Sequence, residues 1–230
     1  NTIFKQLKSA GINWKSIRHI FITHKHMDHL FGIMWFVRMI CQHINRNTYE
    51  GEAYIYGHDE VIKIIGEIAN LLLLKRELDL IGDKLHLVTV EDGEELDIIG
   101  HRVRFFDVRS IKTKQFGFTM YYGDGKKLTC CGDEPFHDCE KEYVYGSEWL
   151  LHEAFCLYSQ ADIFKPYEKN HSTVADACKL AAELKIKNLI LYHTEDKNLQ
   201  NRKTLYYNEG REYFSGNLYI PNDLEVFDIL

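Results

Sequence analysis

Four side chains able to bind a metal, His24, His26, Asp28 and His29, stand within six consecutive positions directly after the apolar run Ile20-Phe21-Ile22. That order dictates local structure. The apolar run reads as a buried strand, the histidines fall on the loop leaving it, and Leu30 to Ile44 reads as a helix that is apolar nearly all round, hence central or packed against a partner. In an extended loop alternate side chains share a face, so His24 and His26 can reach one cation. The turn into the helix aims Asp28 and His29 at a neighbouring point. Two adjacent metals, about 3.5–4 Å apart in hydrolytic sites, are geometrically natural there. Mixed imidazole and carboxylate ligation suits Zn2+, one ion or two, and equally Mn2+ or Fe2+.

The remaining chain alternates between periods. Ile3, Phe4, Leu7 and Ala10 mark an opening helix that turns at Gly11, and strands at 18–22 and 52–56 precede a helix from Val61 to Leu74. After Gly82 the pattern becomes strand-like, at 85–90, 94–99, 102–108, 116–122 and 127–131, with Gly123-Asp124-Gly125 as a hairpin signal. A strand at 148–152, a loop to 170, helix 173–184, strand 187–192, helix 203–214 and closing strands at 217–220 and 224–228 complete the reading. Strands alternating with helices around a central antiparallel block indicate one α/β domain with mixed sheets, spanning 1–230.

Composition narrows the function classes. Apolar residues make up 45% of the 230, enough for a real core. The formal charge of −6 argues against a surface that is everywhere a phosphate-binding field, because such affinity comes from Lys and Arg. Six cysteines without C-x-x-C spacing are expected as reduced thiols. With no apolar run of membrane-spanning length and no signal-peptide pattern, a cytoplasmic protein without a membrane partner is expected.

A compact cluster needs distant ligands. Asp133, in Cys131-Gly132-Asp133-Glu134, follows an apolar strand where a carboxylate could bridge two metals. His193 ends the apolar run Leu189-Ile190-Leu191-Tyr192 in the same manner. Alone, each would read as a turn or cap residue; beside the cluster both read as ligands.

Taken together, Thr23-His24-x-His26-x-Asp28-His29, Gly132-Asp133, His152-Glu153-Ala154-Phe155, His171-Ser172-Thr173 and Leu191-Tyr192-His193 resemble the metallo-β-lactamase-fold hydrolases, in particular their ribonuclease Z branch. The resemblance implies a four-layer αββα sandwich with mixed sheets and metals at one edge. It implies His24 and His26 on a first metal, Asp28, His29 and His193 on a second, and Asp133 as the bridge. Asp28 would also orient or deprotonate a metal-activated water, His171 would protonate the leaving oxygen, and Glu153 would hold an imidazole in register.

Three departures qualify what the resemblance implies. The family's further histidine on the first metal has no counterpart in Phe105 to Lys114, where Arg109 or Ser110 takes its approximate place. Arginine has no lone pair to offer, so the first site is expected to be weak, open, or filled by His101 or His137; alternatively Arg109 with Lys112 and Lys114 contacts a substrate phosphate. The chain also starts in the first helix, so the sandwich is expected to lack its first strands. Residues 58–84 read as helical and apolar rather than as a transfer-RNA-gripping arm. The expected activity is therefore a metal-dependent hydrolase, a phosphodiesterase whose substrate could be RNA. Ribonuclease Z proper and a metal-binding protein that has lost catalysis are the alternatives, and a homodimer is expected from the family and the apolar helix.

Overall fold

The computed structural model describes residues 2–229. The chain forms two compact units, Asn1–Glu91 with Thr113–Gln115 and Asp92–Lys112 with Phe116–Leu230.

The first unit runs α1 (Thr2–Ser9), β1 (His19–Phe21), α2 (Met27–Asn45), β2 (Ala53–Gly57), α3 (Asp59–Leu72), α4 (Lys75–Leu78) and β3 (Leu85–Thr89). Its three strands lie in the order β1-β2-β3 and are all parallel, so Ile20, Ile55 and Leu87 form one cross-strand row. That row packs into a core with Leu30, Ile33, Val37, Ile40 and Cys41 of α2 and Val61 and Ile65 of α3. These positions recur every three or four residues, the stripe of a helix lying on a sheet. The opposite side of α2 leaves Met27, Phe31 and Trp35 exposed. The strand expected at 85–90 thus belongs to this parallel sheet and not to the antiparallel block. Periodicity could not show this, because a half-buried strand reads alike in either direction. At Gly57 a Cβ would lie 2.9 Å from Val61 Cγ1 and 3.3 Å from Ile22 O, so only glycine lets α3 start so close to the end of β1.

The second unit runs β4 (Glu95–Ile98), β5 (His101–Asp107), β6 (Phe116–Tyr122), β7 (Lys126–Cys130), α5 (Lys141–Val144), β8 (Trp149–Glu153), α6 (Ala161–Phe164), α7 (Val174–Glu183), β9 (Asn188–Tyr192), α8 (Arg202–Gly210) and β10 (Asn217–Tyr219). The sheet order is β10-β9-β8-β7-β6-β5-β4, antiparallel from β4 to β7 and parallel from β7 to β10. Leu150, Leu189 and Leu191 pack with Val174, Ala177, Cys178 and Ala181 of α7 and with Tyr206 of α8. Tyr206 and Phe214 are core residues, whereas Tyr207 is exposed.

Two expectations change here. The loop to 170 contains α6 and two short 3-10 turns. No strand forms at 224–228: Leu224 has a positive φ of 66°, Glu225 accepts the Asn222 N–H at 3.0 Å, and Lys203 binds Glu225 at 2.6 Å, so the chain turns instead of extending. Among the described residues no helix is long and apolar enough to cross a membrane.

Candidate metal centre

In the first unit the ligand loop follows directly from strand pairing. The Ile22 N–H still donates to Tyr56 O at 2.9 Å, extending the ladder one residue past β1, and α2 begins at Met27 with His26 as its extended N-cap. Only Thr23 to His26 remain between sheet and helix. Lys25 reaches Glu60 at 2.8 Å. His24 is fully buried, with Nε2 2.8 Å from His26 Nδ1 and Nδ1 3.0 Å from Thr23 Oγ1. The alternation expected of an extended loop therefore brings His24 and His26 together. The first turn of α2 adds His29, whose ring centroid lies 4.1 Å from that of His24 and whose Nε2 lies 3.5 Å from Asp28 Oδ2. Asp28 stays largely exposed, in the first turn where a negative side chain complements the helix dipole.

In the second unit the corresponding residues come from far apart in sequence and meet because β7, β8 and β9 are parallel neighbours. Cys130 pairs with Leu151, and Glu153 with Tyr192, so the carboxyl ends of three strands share one sheet edge, where ligands of such sheets gather. After β7, Gly132 takes a positive φ of 77° and turns the chain so that Asp133 is buried. The Tyr192 hydroxyl donates to Gly132 O and fixes that turn. After β9, His193 itself adopts φ 54°, a left-handed conformation that costs a non-glycine residue about 1–3 kcal/mol and is retained mainly at functional positions. Its Nε2 lies 3.4 Å from Asp133 Oδ2.

Glu153 and His171 complete this cluster. Glu153 is fully buried; Oε1 accepts the Ser172 N–H, and Oε2 faces His171 Nδ1 at 3.6 Å, an ion-pair rather than a hydrogen-bond distance. His171 stacks on Phe155 at 5.0 Å and tilts against His193 at 5.1 Å between centroids. Thr173 is the cap of α7, its Oγ1 accepting the Asp176 N–H at 3.3 Å, so capping accounts for Thr173 and leaves His171 free for chemistry. His152 points elsewhere: buried, it donates from Nδ1 to Glu153 O at 2.7 Å, and burial pushes its pKa down.

The basic segment divides by environment. Arg109, in a left-handed turn with φ 58°, places its guanidinium 2.8 Å from Asp92 and 3.9 Å from Asp107, already paired with carboxylates. Lys112 is the cation brought to the cluster, with Nζ 3.4 Å from both His171 Nε2 and Glu134 Oε1. In the first unit Lys114 binds Asp59 at 2.6 Å. Of the two spare histidines, His101 opens β5 in register with Ile98, and His137 precedes a 3-10 turn whose Glu140 accepts its N–H at 2.8 Å. Burial pushes the Glu140 carboxyl up to about 8. Sequence reasoning gave no role to Glu134, Phe155 or Tyr192. Glu134 and Tyr192 adjoin Asp133 and His193 in sequence and Phe155 lies two positions after Glu153, and that nearness was the available signal.

Do these residues suit a divalent cation? In the first unit His24 adjoins both His26 and His29, and His29 adjoins Asp28. In the second, Glu153, His171 and His193 each offer a ligand atom within 4.8 Å of one another, with Asp133 beside His193. His171 Nδ1 and Glu153 Oε2 are buried without a hydrogen bond. Neutral imidazoles and carboxylates at this density are the donor set of zinc, manganese and iron sites, so the residues fit such an ion.

The comparisons with known proteins agree. The family described as the beta-lactamase superfamily domain matches residues 3–194. A curated relative, ribonuclease Z of Parabacteroides distasonis, is 23% identical over 233 residues, covering 82% of this chain and 75% of its own length. Among solved structures, the metallo-beta-lactamase fold protein YhfI from Bacillus subtilis has a TM-score of 0.76 at 16% identity, covering 97% of this chain and 82% of its own. Human tRNase Z, short form, has a TM-score of 0.73 at 20% identity, covering 99% and 85%. At such identities the structural likeness establishes the metallo-β-lactamase fold.

Proposed function

The chain belongs to the beta-lactamase superfamily, and from that premise we propose that it is a metal-dependent hydrolase of phosphodiesters. The observation that carries this reading is the setting of His171, faced at 3.6 Å by the buried carboxylate of Glu153 and at 3.4 Å by the ammonium of Lys112. An imidazole held by a carboxylate is suited to proton transfer, and a neighbouring ammonium is suited to a phosphate oxygen.

In this reading His24 and His26 would hold one ion and Asp28, His29 and His193 a second, with Asp133 as a ligand shared by both and Zn2+ as the expected metal. Support comes from the donor types, from the convergence of rings within the first unit and of Asp133 with His193 in the second, and from the family. When bound, such ions supply Lewis acidity that allows water to ionise near neutral pH. The chain's own groups do the rest. Asp28 orients the attacking water and accepts its proton. Glu153 holds the His171 ring through Oε2 and the adjoining backbone through Oε1. Lys112, itself held by Glu134, offsets phosphate charge, and His171 delivers a proton to the departing oxygen. The test is hydrolysis of bis(p-nitrophenyl) phosphate by the zinc-loaded protein, with metal content measured in parallel. Bound metal without turnover would instead favour a binding protein of this fold.

A second reading, ribonuclease Z action on precursor transfer RNA, is favoured by the curated relative of that name. Cleavage of precursor transfer RNA at its 3′ side, weakening steeply with salt, would select it. A homodimer is part of either reading. Its support is the exposed stripe Met27, Phe31 and Trp35 on α2, beside an apolar groove of about 670 Å3 that reaches Ile68, Leu72 and Leu74. Sedimentation of wild type and Phe31→Asp checks it: a dimer that becomes a monomer is expected.

A further inference from the structure

The turn that carries His193 is held from outside the strand it follows. His193 keeps a left-handed φ of 54°, which persists in a residue with a side chain only where its surroundings over-determine it. Its neighbours supply that restraint. The Glu195 N–H donates to Phe155 O at 2.8 Å, and the Glu195 carboxylate, itself buried, accepts the Asn198 N–H at 3.2 Å. Between them Thr194 is fixed through its side chain, whose Oγ1 accepts from Arg202 Nη1 at 2.7 Å. Arg202 opens α8 and is 6% exposed, yet the two oxygens it meets, Thr194 Oγ1 and Pro221 O at 3.4 Å from Nη2, are uncharged. Among the described residues its Nε is buried with no hydrogen-bond partner.

A guanidinium taken out of water without a carboxylate is an expensive way to pin a helix. An apolar side chain would fill the same space without desolvating a charge, so stability alone does not select arginine here. The fork has another use. One arm reaches the residue after His193 and the other reaches the segment leaving β10, so a planar group that cannot turn toward one without losing the other ties the turn to a second part of the unit. The neighbouring turn has its own tie, the Tyr192 hydroxyl on Gly132 O, which sets Asp133. His193 Nε2 and Asp133 Oδ2, 3.4 Å apart, are thus each set by a side chain that is not itself a ligand. We propose that Arg202 is a positioning residue of the metal centre: acting through Thr194, it locks the left-handed turn so that the His193 imidazole is aimed at the cation before binding begins. The proposal rests on His193 being a metal ligand, as read above.

The test is zinc affinity, measured by competition with a chromophoric chelator, beside a urea midpoint for each variant. Thr194→Val and Arg202→Met are each expected to weaken zinc binding by about 10- to 100-fold, the usual effect of removing a group that orients a ligand. Thr194→Ser keeps the hydroxyl and should bind zinc as the wild type does. The double variant should bind no worse than the weaker single, because both substitutions remove one link. A metal-free readout separates aim from stability. In labelled protein without metal, the strong contact between the His193 amide and α protons that a positive φ produces should fade in Thr194→Val and persist in Thr194→Ser. If Arg202→Met does not fold, Thr194→Val against Thr194→Ser decides alone. Wild-type zinc affinity in folded Thr194→Val, or an unchanged His193 backbone signal, overturns the lock and leaves the hydrolase reading standing; so does a lower urea midpoint unaccompanied by weaker binding. A wild type that takes up no zinc overturns both.

Discussion

The two units assemble their ligating groups by opposite means. In the first, His24, His26, Asp28 and His29 follow one another through a single loop and helix turn, so their geometry is set by a few backbone dihedrals and by where β1 stops. In the second, Asp133, Glu153, His171 and His193 are drawn from a span of 61 positions, because three parallel strands end at one edge and His171 is tied to the last turn before α7. A local cluster depends on its own turn; an assembled one depends on the register of a sheet. The second also carries backbone strain, since His193, which is not a glycine, sits at positive φ where its strand ends.

Substitutions can break this comparison or sharpen it. The largest effect is expected at the assembled cluster's proton donor: His171→Ala lowers kcat on an activated phosphodiester by about 10²–10⁴-fold while bound metal stays constant. A matching fall in metal content would make His171 a ligand and the cluster a different one. Next comes the sheet that carries it. Leu189 is fully buried between β8 and α7, and Leu189→Ala should cost about 2–5 kcal/mol in urea unfolding. A cost near zero would mean that the register is held elsewhere.

Acidity probes the same unit through Glu140. Burial keeps this carboxyl protonated in the folded protein up to about pH 8, whereas the unfolded chain ionises it near 4.5. Between those values the folded state holds the extra proton, so stability is greatest below the window and falls as pH rises through it, by about 1.4 kcal/mol per unit. Glu140→Gln should remove that slope, read as a urea midpoint constant from pH 5 to 8; an unchanged slope would locate the titration in another group. The smallest effect is expected at Glu153→Gln, which keeps an acceptor for the Ser172 N–H but withdraws the charge facing His171. A loss of about 10- to 100-fold in kcat, with little change in KM, is expected. A larger loss accompanied by unfolding would make Glu153 a scaffold residue first.

Much of this was legible in advance, for a reason that the two clusters share. Apolar runs ending in His or Asp announce a strand followed by a ligand, and Thr23–His29, Asp133 and His193 all carry that pattern. The helix at α7 was equally readable, and the structure makes Thr173 its cap, in a capping box with Asp176. What escaped were matters of direction and partnership. Period-2 patterning cannot say that β3 runs parallel to β2, nor that residues 224–228 turn back. Charge alone grouped Arg109 with Lys112, yet Asp92 neutralises the first while Glu134 holds the second against His171.

The sequence by itself determined which side chains could bind metal and move protons, because ligand chemistry is a property of residue type and the loop at His24 is short enough to be read locally. Only the tertiary structure decided which cation meets His171, which carboxylate stays buried beside it, and that His152 is buried against the backbone of Glu153. Those outcomes depend on strand register and on competition among neighbours for hydrogen bonds. Both are fixed by contacts between residues far apart in the chain.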